Sequence, residues 1–184
     1  MTNIKFGIAG YGKMGKIREL SINEYKYATL VSIYEVSECK HHNKDIVICD
    51  SFEQLLETDI DAVIVSAYVS VAAEYTINAL NAGKHVFCEK PPSMIAEEMY
   101  RVIEAEKKSG KVLKYGFNHR FHYSVMEAKK VIDNGSLGKM LWMRGVYGKA
   151  GSIDFHDNWR NYKNYSCGGI LLDQGIHMID LFRY

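Results

Sequence analysis

The stretch Ile4-Lys5-Phe6-Gly7-Ile8-Ala9-Gly10-Tyr11-Gly12-Lys13-Met14-Gly15 carries the pattern from which the fold is read. Ile4 to Ala9 is a short β-rich run. It feeds directly into Gly10-x-Gly12-x-x-Gly15, and Lys13 to Ile22 has the composition of a helix. Glycine pairs are common in turns, so the loop alone is a weak signal. Its place between a strand and a helix strengthens it. There the first glycine permits a tight turn, the second lets the backbone approach a pyrophosphate, and the third lets helix and strand pack closely. The helix N-terminus offers free N–H groups and the positive end of its dipole to phosphate. Thr29 to Tyr34 (TLVSIY) is a second strand, and Glu35 follows it, 20 residues beyond Gly15. That is the offset of a carboxylate that binds ribose hydroxyls. A carboxylate repels a 2′-phosphate and no arginine follows Glu35, so the expected cofactor is NAD rather than NADP. The competing reading, a loop glycine cluster and a surface glutamate, leaves the coincidence of strand, loop, helix and acid unexplained.

Outward from this unit, strands and helices alternate. Asp45 to Cys49 is a short third strand. Ser51 starts a helix, with Gln54 placed to reach back in a capping box. Ala62 to Ser66 is a near-continuous apolar run, as in a strand covered on both faces. Val71 to Asn81 is a helix that stops at Gly83, and Lys84 to Cys88 is strand five. Ile95 to Lys108 is an amphipathic helix closed by Gly110, and Val112 to Tyr115 is strand six. Strands separated by helices imply right-handed crossovers and a parallel sheet. After Gly116 the rhythm changes: a helix from Ser124 to Asp133, a strand from Lys139 to Gly148, a polar loop from Ala150 to Gly169, and a helix from Ile170 to Tyr184. The fold class is α/β, an N-terminal Rossmann doubly wound parallel sheet over 1–117 followed by an incomplete α+β domain over 118–184. A second unit of about 65 residues with one clear strand is small for an independent core. The chain is therefore expected to be part of something longer.

Composition narrows the function. The chain has 184 residues, 47% apolar and 24% charged, in the globular range. With 23 basic and 22 acidic residues and a net charge of +1, there is no basic excess for nucleic acid. No apolar run approaches the roughly 20 residues that span a bilayer, and no signal-peptide core precedes the first strand. Four cysteines without close pairing read as reduced thiols. A cytoplasmic protein with a small-molecule substrate, no nucleic acid and no membrane is expected.

Two further places carry candidate chemistry. Strand five runs into Cys88-Glu89-Lys90-Pro91-Pro92. Ligands of open parallel sheets bind at the carboxyl ends of strands, so Lys90 is placed to meet the cofactor cleft and to stabilise a developing alkoxide. A solvated lysine at a turn explains the same residue equally well. Asp173 and His177 are four apart in Ile170-Leu-Leu-Asp-Gln-Gly-Ile-His-Met-Ile-Asp-Leu, on one face of a helix. His177 has the chemistry to accept a hydroxyl proton, with Asp173 orienting it or binding substrate. An aspartate favoured by the helix dipole beside a core histidine is the competing account, and the residues alone favour it. Cys39-Lys40-His41-His42 lacks a second ligand pair for a metal, and Cys167 has no base beside it in sequence. Tyr147, Trp159, Tyr162 and Tyr165 suit either a sugar pocket or domain packing.

Taken together, GIAGYGKMG (Gly7–Gly15), AGKHVFCEKP (Ala82–Pro91), GFNHRF (Gly116–Phe121) and CGGILLDQGIHMIDL (Cys167–Leu181) resemble the glucose–fructose oxidoreductase / inositol dehydrogenase (Gfo/Idh/MocA) family. The Glu-Lys-Pro and D-x-x-x-H elements are the specific carriers. The resemblance implies a Rossmann domain followed by an α/β domain on a large, mainly antiparallel sheet, most of which lies beyond this length of chain. It implies Lys90, Asp173 and His177 as the catalytic set, with His177 the proton acceptor. The expected cofactor-binding set is Gly10, Tyr11, Gly12, Lys13, Met14, Gly15, Glu35, Ser66, Glu89 and Asn118. The expected reaction transfers hydride between NAD and a secondary alcohol of a sugar, cyclitol or nucleotide sugar, in a protein that is a homo-oligomer at full length. The rival reading is a truncated or degenerate member acting only as a dinucleotide-binding or partner-binding module. Where the family commonly has Thr-Pro and then a histidine after strand four, this chain has Ala67-Tyr68 and Ala72. Cys167 stands in place of a glycine of the usual triplet.

Overall fold

Ala62-Val63-Ile64-Val65 is apolar on both faces, and all four residues of the strand they form, β4 (Ala62–Val65), are buried. The other strands are β1 (Ile4–Ala9), β2 (Ala28–Tyr34), β3 (Val47–Cys49), β5 (His85–Cys88) and β6 (Leu113–Tyr115). The six strands lie in the order β3-β2-β1-β4-β5-β6, and every neighbouring pair is parallel. The helices are α1 (Lys13–Glu24), α2 (Phe52–Glu57), α3 (Val69–Asn81) and α4 (Ala96–Ser109). Side chains alternate across the sheet. Val63 and Val65 join a large apolar cluster with Phe52, Leu55, Leu80 and Val102, so α2, α3 and α4 cover that face. Ile64 joins Ile8, Tyr11, Ile22, Leu30 and Ile33 on the opposite face, beneath α1. Each fully buried side chain of this kind contributes about 1.5–3 kcal/mol. This is the doubly wound arrangement, and the strand order reverses between β1 and β4. In open α/β sheets, ligands bind at such a switch point, outside the carboxyl ends of the strands.

This computed structural model describes residues 2–148, 162 and 169–184. It has two compact units, Met1–Gly116 and Phe117–Tyr184. Local signals in the first unit act much as expected. Ser51 accepts the N–H of Gln54 at 3.1 Å, while the Gln54 side chain accepts the N–H of Asp50 at 2.6 Å rather than that of Ser51. Gly83 and Gly110 take φ of +74° and +64° just past α3 and α4, a conformation glycine adopts without a Cβ penalty. Helix α3 starts at Val69, two residues before the expected Val71, and α1 runs to Glu24 rather than Ile22.

In the second unit a 3₁₀ turn (Asn118–Phe121) leads into α5 (Tyr123–Asp133). Near the other end a π-helical stretch (Leu171–Gly175) continues into α6 (Ile176–Arg183). The strand expected from Lys139 to Gly148 does not form, since residues 139–148 make no strand pairing. A strand exists only as half of a ladder, and among the described residues this segment has no neighbour to pair with. It packs on α6 instead: a Cβ on Gly145 would lie 2.0 Å from the Met178 methyl and 3.0 Å from the Phe182 ring. Most of the polar loop expected from Ala150 to Gly169, with Trp159, Tyr165 and Cys167, falls outside the described residues. No helix among the described residues is long and apolar enough to cross a membrane.

Candidate active site

The glycine loop sits at the switch point because β1 ends there. Gly10 has φ +89°, and a Cβ on it would lie 2.5 Å from the Ala67 amide nitrogen at the end of β4. Only glycine fits that turn. A Cβ on Gly15 would lie 2.4 Å from the Gly10 carbonyl oxygen, so the third glycine lets α1 close onto the loop. Gly12 has nothing within 4 Å of where its Cβ would be, which leaves its backbone open to a close-lying group. Helix α1 has no side-chain cap and no acidic residue in its first turn, so its leading N–H groups face no competing anion. Lys13 and Met14 are exposed in that turn. Ser66 donates its hydroxyl to the Gly10 carbonyl at 2.6 Å and so fastens the loop to β4.

Glu35, at the end of β2, accepts the Tyr11 N–H at 2.6 Å and the Ser37 N–H at 3.3 Å. The carboxylate is thereby bonded to the loop backbone. This cradle fits a dinucleotide: open backbone for a pyrophosphate, unopposed helix N–H groups, and a carboxylate at the end of the neighbouring strand. The Tyr11 side chain turns inward, only 8% exposed, and donates to Glu19, which also holds Nε2 of His41 at 2.7 Å. The backbone of Tyr11, not its phenol, is the part that faces the loop. Burial and then the hydrogen bond to Glu19 push the Tyr11 hydroxyl pKa up.

Glu89 and Lys90 follow β5 at the same end of the sheet. Glu89 is engaged inside the protein: Arg18 of α1 donates Nε–H to it at 2.6 Å while its guanidinium lies 4.8 Å over the Phe87 ring. A Cβ on Gly116 would lie 2.6 Å from the Glu89 carboxylate, so a glycine there makes room for this pair. Lys90 is half-buried, and the bond that joins it to Pro91 is cis. Cys88, before it, is fully buried, and loss of solvent pushes its thiol up to about 12.

In the second unit Asn118 opens the 3₁₀ turn and is exposed. Asp173 lies half-buried in the π-helical stretch, where its carboxylate accepts from the Gln174 amide at 2.8 Å. Single π turns inside helices recur at functional sites. His177 is 3% exposed and ringed by aromatic groups. The His119 imidazole stacks on it at 3.9 Å and 14°, Phe117 meets it edge-on at 6.2 Å, and Tyr147 lies 6.5 Å away. Beside that stack Arg120 grips Asp180 through two nitrogens, one at 2.8 Å. Thus Gly10, Gly12, Gly15, Glu35 and Ser66 converge on one loop and Glu89 and Lys90 on the next strand end. Asn118, Asp173 and His177 belong to the second unit. Arg18, His119 and the Arg120–Asp180 pair were not foreseen. Their partners lie 58 to 71 residues away, so no local pattern announces them.

Comparison with known proteins extends this geometry. Residues 4–117 match an oxidoreductase family with an NAD-binding Rossmann fold, and residues 125–184 match the GFO/IDH/MocA C-terminal domain. An inositol 2-dehydrogenase of Klebsiella pneumoniae is 30% identical over 99% of this chain and 54% of its own length. A myo-inositol 2-dehydrogenase of Thermotoga maritima is 32% identical over 98% of this chain and 54% of its own. Among solved structures, scyllo-inositol dehydrogenase of Lactobacillus casei with bound NAD(H) and scyllo-inositol superposes with a TM-score of 0.83 at 27% identity, covering 99% of this chain and 56% of that one. The chain therefore spans about half the length of the relatives it matches. On the two successive matches, which run from β1 into α6, the chain belongs to the Gfo/Idh/MocA oxidoreductase family.

Proposed function

We propose that this chain supplies the cofactor cradle and the catalytic helix of an NAD-dependent oxidoreductase that acts on a secondary alcohol of a cyclitol, sugar or nucleotide sugar. The observation that carries the reading is the glycine loop at the switch point with Glu35 bonded to it, in a chain whose relatives include inositol 2-dehydrogenases. Bound NAD supplies a hydride acceptor. The leading N–H groups of α1 hold its pyrophosphate and Glu35 its ribose hydroxyls, which disfavours a 2′-phosphate. Lys90 donates to the substrate oxygen and stabilises charge developing there. His177 accepts the hydroxyl proton, and Asp173 orients the imidazole. The same reading has domains over 1–117 and 118–184, a cytoplasmic location and a homo-oligomer at full length.

The test is calorimetric titration with NAD and NADP, followed by a polyol and nucleotide-sugar screen of the full-length protein, read by absorbance of the reduced cofactor. NAD binding together with cofactor reduction by at least one cyclitol or sugar is expected. Absence of NAD binding would remove the cradle from the proposal, and binding without turnover on any polyol would leave a dinucleotide-binding module instead.

A further inference from the structure

The second unit holds its buried histidine at two points, and the spacing of those points is informative. His119 and Arg120 are successive residues of the 3₁₀ turn. Their partners, His177 and Asp180, are three apart on α6 and so lie on one face. The Arg120–Asp180 pair is bidentate, which sets orientation as well as distance. Arg120 is also held over the Tyr184 ring at 5.0 Å. With that register set, the His119 ring lies nearly parallel to His177 at 3.9 Å, and Tyr147 stacks beside His119 at 5.5 Å.

The geometry points to His119 as a positioning residue that keeps His177 in its neutral, proton-accepting form. The inference rests on the proposed role of His177 as the base. Two imidazoles face to face at this distance share one positive charge readily and two poorly, because like charges repel. His119 is the more exposed of the two, so water stabilises its cation and it takes the first proton. Protonation of His177 is then opposed both by burial and by the charge on its face. Among the described residues, the other titratable or charged groups near the stack are Asp173, Asp180, Arg120, Tyr147 and His122. Asp173, on the same helix, favours a charged His177. Asp180 is paired with Arg120, Tyr147 stacks beside His119, and His122 meets His119 edge-on at 5.2 Å. Burial and the face of His119 together oppose the pull of Asp173, and His177 stays a base where a lone imidazole is partly charged.

The test follows the imidazole resonances of the full-length protein with pH, His177 and His119 being assigned by His177→Gln and His119→Gln. In the unsubstituted protein the two rings are expected to titrate as a coupled pair, each curve showing an inflection at the other's midpoint. In His119→Phe and in His119→Gln the midpoint of His177 is expected to rise by about one pH unit. In the full-length enzyme the acid limb of kcat/KM should move up with it, while KM for NAD stays unchanged. Independent single-step titration of the two rings in the unsubstituted protein overturns the inference even if neither variant folds. So does an unmoved His177 midpoint in a folded variant. If His177→Ala retains turnover while the two rings titrate as a pair, the assignment of the base fails and the coupling stands, so the two ideas fail separately.

Discussion

The Glu35 carboxylate already accepts the N–H of Tyr11 and sits at the end of β2, so a ribose would meet an oriented acceptor rather than a floppy one. Removing it and adding a guanidinium next door, Glu35→Ala with Val36→Arg, should relax or reverse the proposed preference for NAD over NADP. Paired calorimetric titrations check this, and tighter NADP binding by the unsubstituted chain would contradict the premise. In the proposed function Lys90 and His177 act on the substrate oxygen and not on the dinucleotide. In the full-length enzyme Lys90→Met and His177→Ala should each cut turnover on the order of 10²-fold or more while NAD affinity changes little. Near-normal turnover in either variant takes that residue out of the mechanism. Spacing made both residues candidates, and only the family resemblance put them in a catalytic set. His119 was not, because nothing in Gly116-Phe-Asn-His-Arg-Phe121 says which distant ring it will cover.

Helix α1 is tied down at two points, and each tie has a measurable consequence. Arg18 reaches the Glu89 carboxylate in a site where neither side chain is more than 20% exposed. Deleting the guanidinium leaves a largely buried carboxylate without that partner, so Arg18→Met should destabilise the protein by about 2–3 kcal/mol. Denaturant unfolding of Arg18→Met, Glu89→Gln and the double variant measures it, and strictly additive losses would show that the pair is not coupled. At the next residue of α1, burial pushes the Glu19 carboxyl up, but the hydrogen bonds from Tyr11 and His41 and the charges of His41 and His42 together hold it below its usual range. A carboxyl lowered on folding contributes stability that is present above its unfolded pKa and lost as pH falls through the folded value. Glu19→Gln should therefore lose stability at neutral pH and show a shallower decline on acidification, read as the midpoint of thermal unfolding between pH 7 and pH 3. An equal slope in both proteins would rule out this contribution. The caps, the closing glycines and the strand-helix alternation of these elements were legible in sequence, since each depends on residues within one turn of one another.

At the scale of the whole molecule the two units differ in what they bury. The buried apolar residues among those described end at Ala105, whereas Phe121, Tyr123, Leu141, Trp142 and Val146 of the second unit are all at least 75% exposed. Large exposed apolar area is uncommon in soluble monomers. Amide exchange in the 184-residue chain should accordingly protect β1, β2, β4 and β5 far more than α5 and α6, and a dye that reports apolar surface should bind. Uniform protection through Tyr184 without dye binding would contradict this. The sequence by itself determined the parallel α/β sheet, the glycine loop and the offset of Glu35. Hydrophobic period, glycine stereochemistry and a fixed rise per residue act over short separations, and they leave few alternatives. Only the tertiary structure decided that Tyr11 turns inward onto Glu19, that Arg18 occupies Glu89 and that His119 covers His177. Residues 139–148 form no strand for the same reason. Each of these outcomes depends on which distant group arrives as a partner, and that is settled by packing rather than by the local chain.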